Sequence, residues 1–250
     1  GSADMDDRDM REFYLRPYKA LIEGDKLPSI MTAYNAVNGT PISASKFLVD
    51  TIARRTYGMK GYVTGDCGAI SDMIQGHKFA KDGPEATAMG LKTGVDSDCG
   101  GEYQAHALTA LQRGLISETD IDRALINMFA IRMRLGEFDP APMVPFAGIK
   151  QARVNDPSHN DLALEIATKT PVLLKNEKIA SGKKALPLQA CNVRKIAVLG
   201  PQANKIELGD YSGPVEPHYQ STPLQGITDF VQKNNLDIDV VFAEGGNTAR

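Results

Sequence analysis

The sequence predicts an α/β fold, and three observations carry that prediction. In the first half, apolar residues alternate between helix-like and strand-like spacing, as in repeated βα units. The run Gly61-Tyr62-Val63-Thr64-Gly65-Asp66-Cys67-Gly68 is a short β-prone stretch ending in a carboxylate among small residues. An α/β barrel places reactive carboxylates at such C-terminal strand mouths, where glycines let a ligand approach the backbone. Beyond residue 157, strand, helix and strand follow one another as a further βαβ-like unit.

Residues 7–24 are predicted helical, with Phe13, Tyr14, Tyr18, Leu21 and Ile22 as an apolar stripe and Gly24 as the stop. Ser29 to Asn35 reads as a buried strand, and Asn38-Gly39-Thr40-Pro41 as the turn after it. A helix over 45–57 leads to the strand at 61–65. A polar loop from Gln75 to Gly83, a helix over 84–92 and a strand over 93–96 follow, the last ending in Asp96-Ser97-Asp98-Cys99-Gly100-Gly101. Ser117, with Asp120 three residues on, marks a helix start as a variant capping box. Ile121, Leu125, Met128, Phe129 and Leu135 make that helix core scaffold, and Gly136 ends it.

Pro140, Pro142, Pro145 and Pro157 fall in a stretch of little periodicity, which reads as a linker over 137–157 between a first domain, 1–136, and a second, 158–250. The second domain is predicted to hold a helix at 158–171, a loop around Ser181-Gly182-Lys183-Lys184, a strand at 194–199, a helix at 223–234 and a strand at 238–243. Two strands bury too little surface to stand alone, and three strands are far short of the eight of a barrel. The chain therefore reads as truncated at both ends.

Composition narrows the function. Of 250 residues 42% are hydrophobic, enough for one or two domains with real cores. A net charge of −3 gives no electrostatic footprint for nucleic acid and no basic face for a membrane surface, so a small or neutral ligand fits better. No apolar stretch approaches the roughly 20 residues of a membrane-spanning helix, and no signal peptide opens the chain. Gly1-Ser2-Ala3 is compatible with a cloning remnant, so the compartment stays open.

Cys67, Cys99 and Cys191 are too few for a disulfide scaffold and lack zinc spacing. They read first as buried or free thiols. Cys67 and Cys99, both at strand ends, have the further option of a disulfide across adjacent strands. Asp96-Ser97-Asp98 invites comparison with a divalent-cation site, but without a phosphate loop it reads better as loop capping or as lining of a ligand site. His77, His106, His159 and His218 share no ligand spacing and read as surface or structural residues. No metal and no cofactor is expected, and no nucleophile elbow supports a Ser-His-Asp site.

Met31-Thr32-Ala33-Tyr34-Asn35-Ala36-Val37-Asn38-Gly39, Gly61 to Ile70, and Gly94-Val95-Asp96-Ser97-Asp98-Cys99-Gly100 together resemble glycoside hydrolase family 3. The resemblance continues through Leu135-Gly136-Glu137-Phe138-Asp139, Val172 to Glu177, Leu186-Pro187-Leu188 and Ile196 to Pro201, covering nearly the whole chain in the family's order. It implies the C-terminal part of a (β/α)8 barrel followed by the start of an α/β sandwich domain. It also implies a retaining exo-acting β-glycosidase taking an oligosaccharide or glycoside, with Asp66 as nucleophile and Tyr34 as an active-site tyrosine.

Cys67 stands where many β-glucosidases of the family carry tryptophan, and the chain has no Trp. With the later Asp-Cys-Gly, this is similar to the β-xylosidase and α-arabinofuranosidase branch, with β-xylosidase the activity expected; β-glucosidase and a non-catalytic carbohydrate-binding fragment are the alternatives, and a metal-dependent sugar transferase on Asp96 and Asp98 a remote one. A Cys67 to Cys99 pair would narrow the pocket near the sugar's exocyclic carbon and favour a pentose. The family's upstream sugar-gripping residues and its acid/base glutamate have no match within the chain. Glu177, Glu207, Glu216 and Glu244 are expected to be surface carboxylates, and the chain by itself is expected to be weakly active or inactive. Whether the full-length protein forms a homodimer stays open.

Overall fold

The computed structural model describes residues 1–24, 27–209, 211–213 and 215–246. Contacts divide the chain into two units, Gly1–Gly148 and Ile149–Arg250. In the first, β1 (Ser2–Ala3) precedes a helical run in three pieces: α1 (Asp7–Asp9), a π-pitched turn over Met10–Tyr14, and α2 (Arg16–Glu23). Asp6 caps the run by accepting from the Asp9 amide at 2.8 Å. The expected stripe is not the buried face: Met10 and Ile22 are buried, whereas Phe13, Tyr14, Tyr18 and Leu21 are exposed. The cause is the π turn, where the Leu15 amide bonds back to Met10 O at 2.8 Å. The extra residue per turn rotates the two pieces out of phase, so no single 3.6-residue stripe runs through.

The strand β2 (Ser29–Thr32) is shorter than the predicted 29–35, because the chain then bends into the hairpin β3 (Ala36–Val37) and β4 (Thr40–Pro41). Asn38 and Gly39 close that hairpin with φ of 48° and 78°, the backbone of a type I′ turn. A π-pitched helix over Phe47–Thr56 occupies the predicted 45–57. It leads to β5 (Tyr62–Gly65), which pairs in parallel with β2 from Ser29↔Tyr62 to Thr32↔Gly65. Gly61 admits this pairing: a Cβ there would lie 1.5 Å from the Pro28 carbonyl oxygen. Two helices, α3 (Ala69–Gln75) and α4 (Gly83–Thr93), separate β5 from β6 (Ser97–Asp98), which pairs in parallel on the other side of β5.

The third strand therefore lies at 97–98 rather than 93–96. Thr93 closes α4, Gly94 takes φ 103°, and the ladder begins only where the Asp96 amide donates to Val63 O at 2.7 Å. After β6 comes α5 (Glu102–Gln112), a helix that the sequence analysis does not anticipate. Asp98 caps it from the strand end, accepting from the Glu102 amide at 2.9 Å. Two glycines of α4 make its seat: a Cβ at Gly83 would lie 2.1 Å from the His106 ring, and one at Gly90 2.4 Å from the Tyr103 hydroxyl.

The helix α6 (Glu118–Arg134) starts with the predicted capping box between Ser117 and Asp120 and ends before Gly136 at φ 76°. Its inward face is Ala124 and Ile131, with Ile121 and Met128 half-buried. Leu125 is one position off that stripe and exposed, and Leu135 sits at the cap, also exposed, which corrects the predicted core face. The core of this unit lies between the π-pitched helix, β5 and α3, where Val49, Ile52, Val63, Ile70, Met73 and Val95 are closed off from solvent.

In the second unit α7 (Pro157–Lys169) buries none of its residues. The strand β7 (Lys195–Leu199), α8 (Pro223–Lys233) and β8 (Asp239–Ala243) form a βαβ unit with parallel pairing from Lys195↔Asp239 to Leu199↔Ala243. Thr222 caps α8 by accepting from the Gln225 amide at 3.0 Å.

Candidate active site

Parallel pairing puts the C-terminal ends of β2, β5 and β6 on one side of the sheet, and each is followed by one of the residues singled out from sequence. Asp66 directly follows β5, and its amide donates to Thr32 O at 3.0 Å, so the strand pairing carries through to the carboxylate-bearing residue. Gly68, at φ 84°, turns the chain into α3 at once; a residue with a side chain rarely adopts that backbone. Asp66 is thereby held at the junction of strand and helix, half-buried, with Oδ1 accepting from the Cys67 amide at 2.6 Å.

Cys67 and Cys99 are joined by a disulfide, so their reading as free or buried thiols is corrected; Cys191 is exposed and free. The bridge continues what the backbone begins, since the Cys99 amide donates to Gly65 O at 3.2 Å and the Gly68 amide to Cys99 O at 2.6 Å. Tyr34, two residues beyond β2, donates its phenol to the Cys67 carbonyl at 2.7 Å. Tyr34, Cys67 and Cys99 all present exposed surface beside Asp66. All four expected residues come together.

Below this rim lies a buried polar knot. Asp96 Oδ2 accepts from Arg54 Nη2 at 2.5 Å and from the Val63 amide at 2.9 Å, while Oδ1 accepts from Asn127 Nδ2 at 3.0 Å. Burial pushes the Asp96 carboxyl above its ordinary value, and Arg54 and the donated hydrogen bonds oppose the rise. With three donors on it, Asp96 is committed to the sheet rather than to a ligand. Asp98 is spent capping α5, and its Oδ1 is buried without a hydrogen-bond partner. Among the described residues no three His, Cys, Asp or Glu are arranged to hold a metal ion, and no helix is long and apolar enough to cross a membrane. Glu177, Glu207, Glu216 and Glu244 are exposed.

An apolar cavity of about 340 Å³, lined by residues such as Met10, Ile30, Val49, Ile52 and Tyr57, reaches the end of β2 at Thr32, Ala33 and Asn35. Neither Asp66 nor any other carboxylate lines it, so the open strand-end rim is the better place for chemistry on a polar ligand.

The profile of the Glycosyl hydrolase family 3 N terminal domain matches residues 1–131, and that of the Glycosyl hydrolase family 3 C-terminal domain matches residues 171–249. The chain belongs to glycosyl hydrolase family 3. Within the curated proteins, this family 3 chain is 40% identical over 227 residues to "Probable beta-D-xylosidase 7" of Arabidopsis thaliana, covering 90% of itself and 29% of that protein. It is 37% identical over 232 residues to "Probable exo-1,4-beta-xylosidase xlnD" of Neosartorya fischeri, covering 91% and 29%. The chain thus spans under a third of the length of these relatives.

Among solved structures, a GH3 exo-beta-xylosidase in complex with a xylobiose aziridine activity-based probe matches with a TM-score of 0.83 and 32% identity, over 100% of this chain and 31% of that one. A β-glucosidase from Erythrobacter marinus matches with a TM-score of 0.81 and 28% identity, over 98% and 31%. The α/β fold read from the sequence is the fold of these family 3 neighbours.

Sequence reasoning missed three residues that shape the site. Arg54 and Asn127 tie Asp96 beneath β5, and His77 lies within hydrogen-bond distance of the Tyr34 carbonyl. The first pair left no signal, because their partners are 42 and 31 positions away.

Proposed function

We propose that the protein carrying this chain is a retaining, exo-acting β-xylosidase, with Asp66 as the nucleophile and Tyr34, Cys67 and Cys99 lining the sugar site. The observation that carries the reading is the placement of Asp66 at the mouth of β5, its carboxyl oriented by the Cys67 amide and flanked by the disulfide and the Tyr34 phenol. In the first step a carboxylate oxygen of Asp66 bonds to the anomeric carbon as the glycosidic C–O bond breaks, and a second carboxyl protonates the leaving oxygen. Water then gives a proton to that second carboxylate and attacks the same carbon as its ester bond to Asp66 breaks, which releases the sugar with retained configuration and frees the Asp66 carboxylate. No carboxyl of this chain is assigned the proton donor, so the segment by itself supports the first half of the reaction with an activated leaving group.

The names of the curated relatives favour a xyloside, and the glucosidase names among structural neighbours keep a glucoside as the second reading. The disulfide supplies a physical reason for the pentose. In this reading the bridge takes up the room that the exocyclic hydroxymethyl group of a hexose would need. The test is intact mass and peptide mapping after incubation with 2-fluoro xylosides and glucosides bearing good leaving groups. A xylosyl adduct on Asp66, formed faster than a glucosyl one, is expected. An adduct on another residue, or none in folded protein, overturns the assignment of Asp66, and equal labelling by both sugars overturns the pentose preference.

A further inference from the structure

We infer that His77 is a positioning residue for Tyr34. The inference rests on the proposed sugar site and deepens it. His77 Nε2 lies 2.7 Å from the Tyr34 carbonyl oxygen and 3.3 Å from Asp72 Oδ2. Both neighbours are acceptors, so Nε2 carries the proton, and Asp72 holds the ring in that orientation. The ring is largely buried, with 15% of its side-chain surface exposed.

The ring is delivered from a rigid turn. The His77 amide donates to Asp72 O at 2.9 Å, those of Phe79 and Ala80 donate to Met73 O at 2.8 and 3.1 Å, and Lys78 between them holds φ 52°. Gly76 makes room for the orienting carboxylate: its φ of −80° is ordinary, but a Cβ there would lie 2.1 Å from Asp72 Oδ1. The glycine serves space rather than backbone conformation. Tyr34 is consequently held at two points by the one βα unit that carries Asp66, its phenol by the Cys67 carbonyl and its own carbonyl by His77. The phenol's place relative to the nucleophile is set by this double attachment, not by β2 alone.

The test compares His77→Leu, which removes the donor, with His77→Gln, whose amide nitrogen reaches the same place, in the protein that carries this chain. Labelling of Asp66 by a 2-fluoro xyloside is followed, with melting temperature as a check on folding. His77→Leu is expected to raise the labelling KI about tenfold with the maximal rate within about twofold, and His77→Gln to stay within about threefold of the parent. Because the effect runs through Tyr34, His77→Leu is expected to add little in a Tyr34→Phe background. Additive losses, or His77→Gln as poor as His77→Leu, overturn the inference. If the parent takes no label on Asp66, the nucleophile reading falls, and the clamp is judged by 15N NMR of His77. A proton on Nε2 is expected there, and an Nε2 without one overturns it.

Discussion

Replacing both Cys67 and Cys99 by serine tests how the rim of the site is held. Thirty-two positions separate the two cysteines, so the bridge closes a loop of about 33 residues, for which the chain-entropy relation gives about 12.5 cal/mol/K, or about 3.7 kcal/mol at 25 °C. That figure is an upper one, because the Gly68 to Cys99 and Cys99 to Gly65 backbone bonds keep their geometry in the native state and residual contacts shorten the loop in the denatured one. A loss of about 2–4 kcal/mol is expected, seen as a fall of roughly 1–2 M in the urea midpoint followed by circular dichroism at 222 nm. Reducing the parent protein is expected to reproduce the variant, and reductant to leave the variant unmoved. Where two transitions resolve, only that of the first unit should shift. A loss under about 1 kcal/mol would refute the argument, since the strand ladder alone would then be holding the rim.

Asp66→Asn preserves size and removes the attacking oxygen, so turnover of an aryl xyloside by the protein that carries this chain is expected to fall roughly ten-thousandfold or more, with the fold unchanged by circular dichroism. Gly61→Ala forces a Cβ against the Pro28 carbonyl at 1.5 Å and is expected to cost about 1–3 kcal/mol or more in urea unfolding; an unchanged midpoint would mean that β2 and β5 slide freely. Asp120 is held below its ordinary value first by the Ser117 amide, so its cap stabilises α6 above the unfolded carboxyl value and is lost as pH falls through the lower folded one. Asp120→Ala is accordingly expected to cost about 1 kcal/mol at neutral pH and to converge with the parent near pH 2, and a difference that persists there would contradict a carboxylate cap.

The elements legible in the sequence were those whose signal is local. Ser117 with Asp120, Gly136 after α6 and Asn38-Gly39 in the hairpin each satisfy backbone groups within a few residues, and each sits where local chemistry places it. The strand end carrying Asp66 was legible for the same reason, as a β-prone run broken by small residues, whereas β2 ends before Tyr34 and β6 begins only at Ser97, bounds that the pairing with β5 sets. What failed depended on distant partners. The helix α5 is seated by Gly83 and Gly90 on α4, which read in sequence only as weak points of that helix. The stripe over residues 7–24 failed because a π turn is not written in residue spacing. His77 reads in sequence only as a surface or structural residue, because its partner is a carbonyl 43 positions away and a carbonyl has no sequence signature.

The residues around Asp66 are fixed chiefly through main-chain atoms, and this bears on how such a site tolerates change. The Asp66 amide bonds Thr32 O, the Gly68 amide bonds Cys99 O, the Tyr34 phenol bonds Cys67 O, and His77 bonds Tyr34 O. None of these acceptors is altered by substituting the residue that bears it. The side chains on which these loops depend are therefore the donors Tyr34 and His77 and the disulfide between positions 67 and 99, together with the glycine at 68. Beneath them Asp96 brackets Val63 at both its amide and its carbonyl, three residues before the carboxylate that the proposed reaction uses. The backbone of the rim is thus set by one buried acid, a chain of carbonyls and the disulfide.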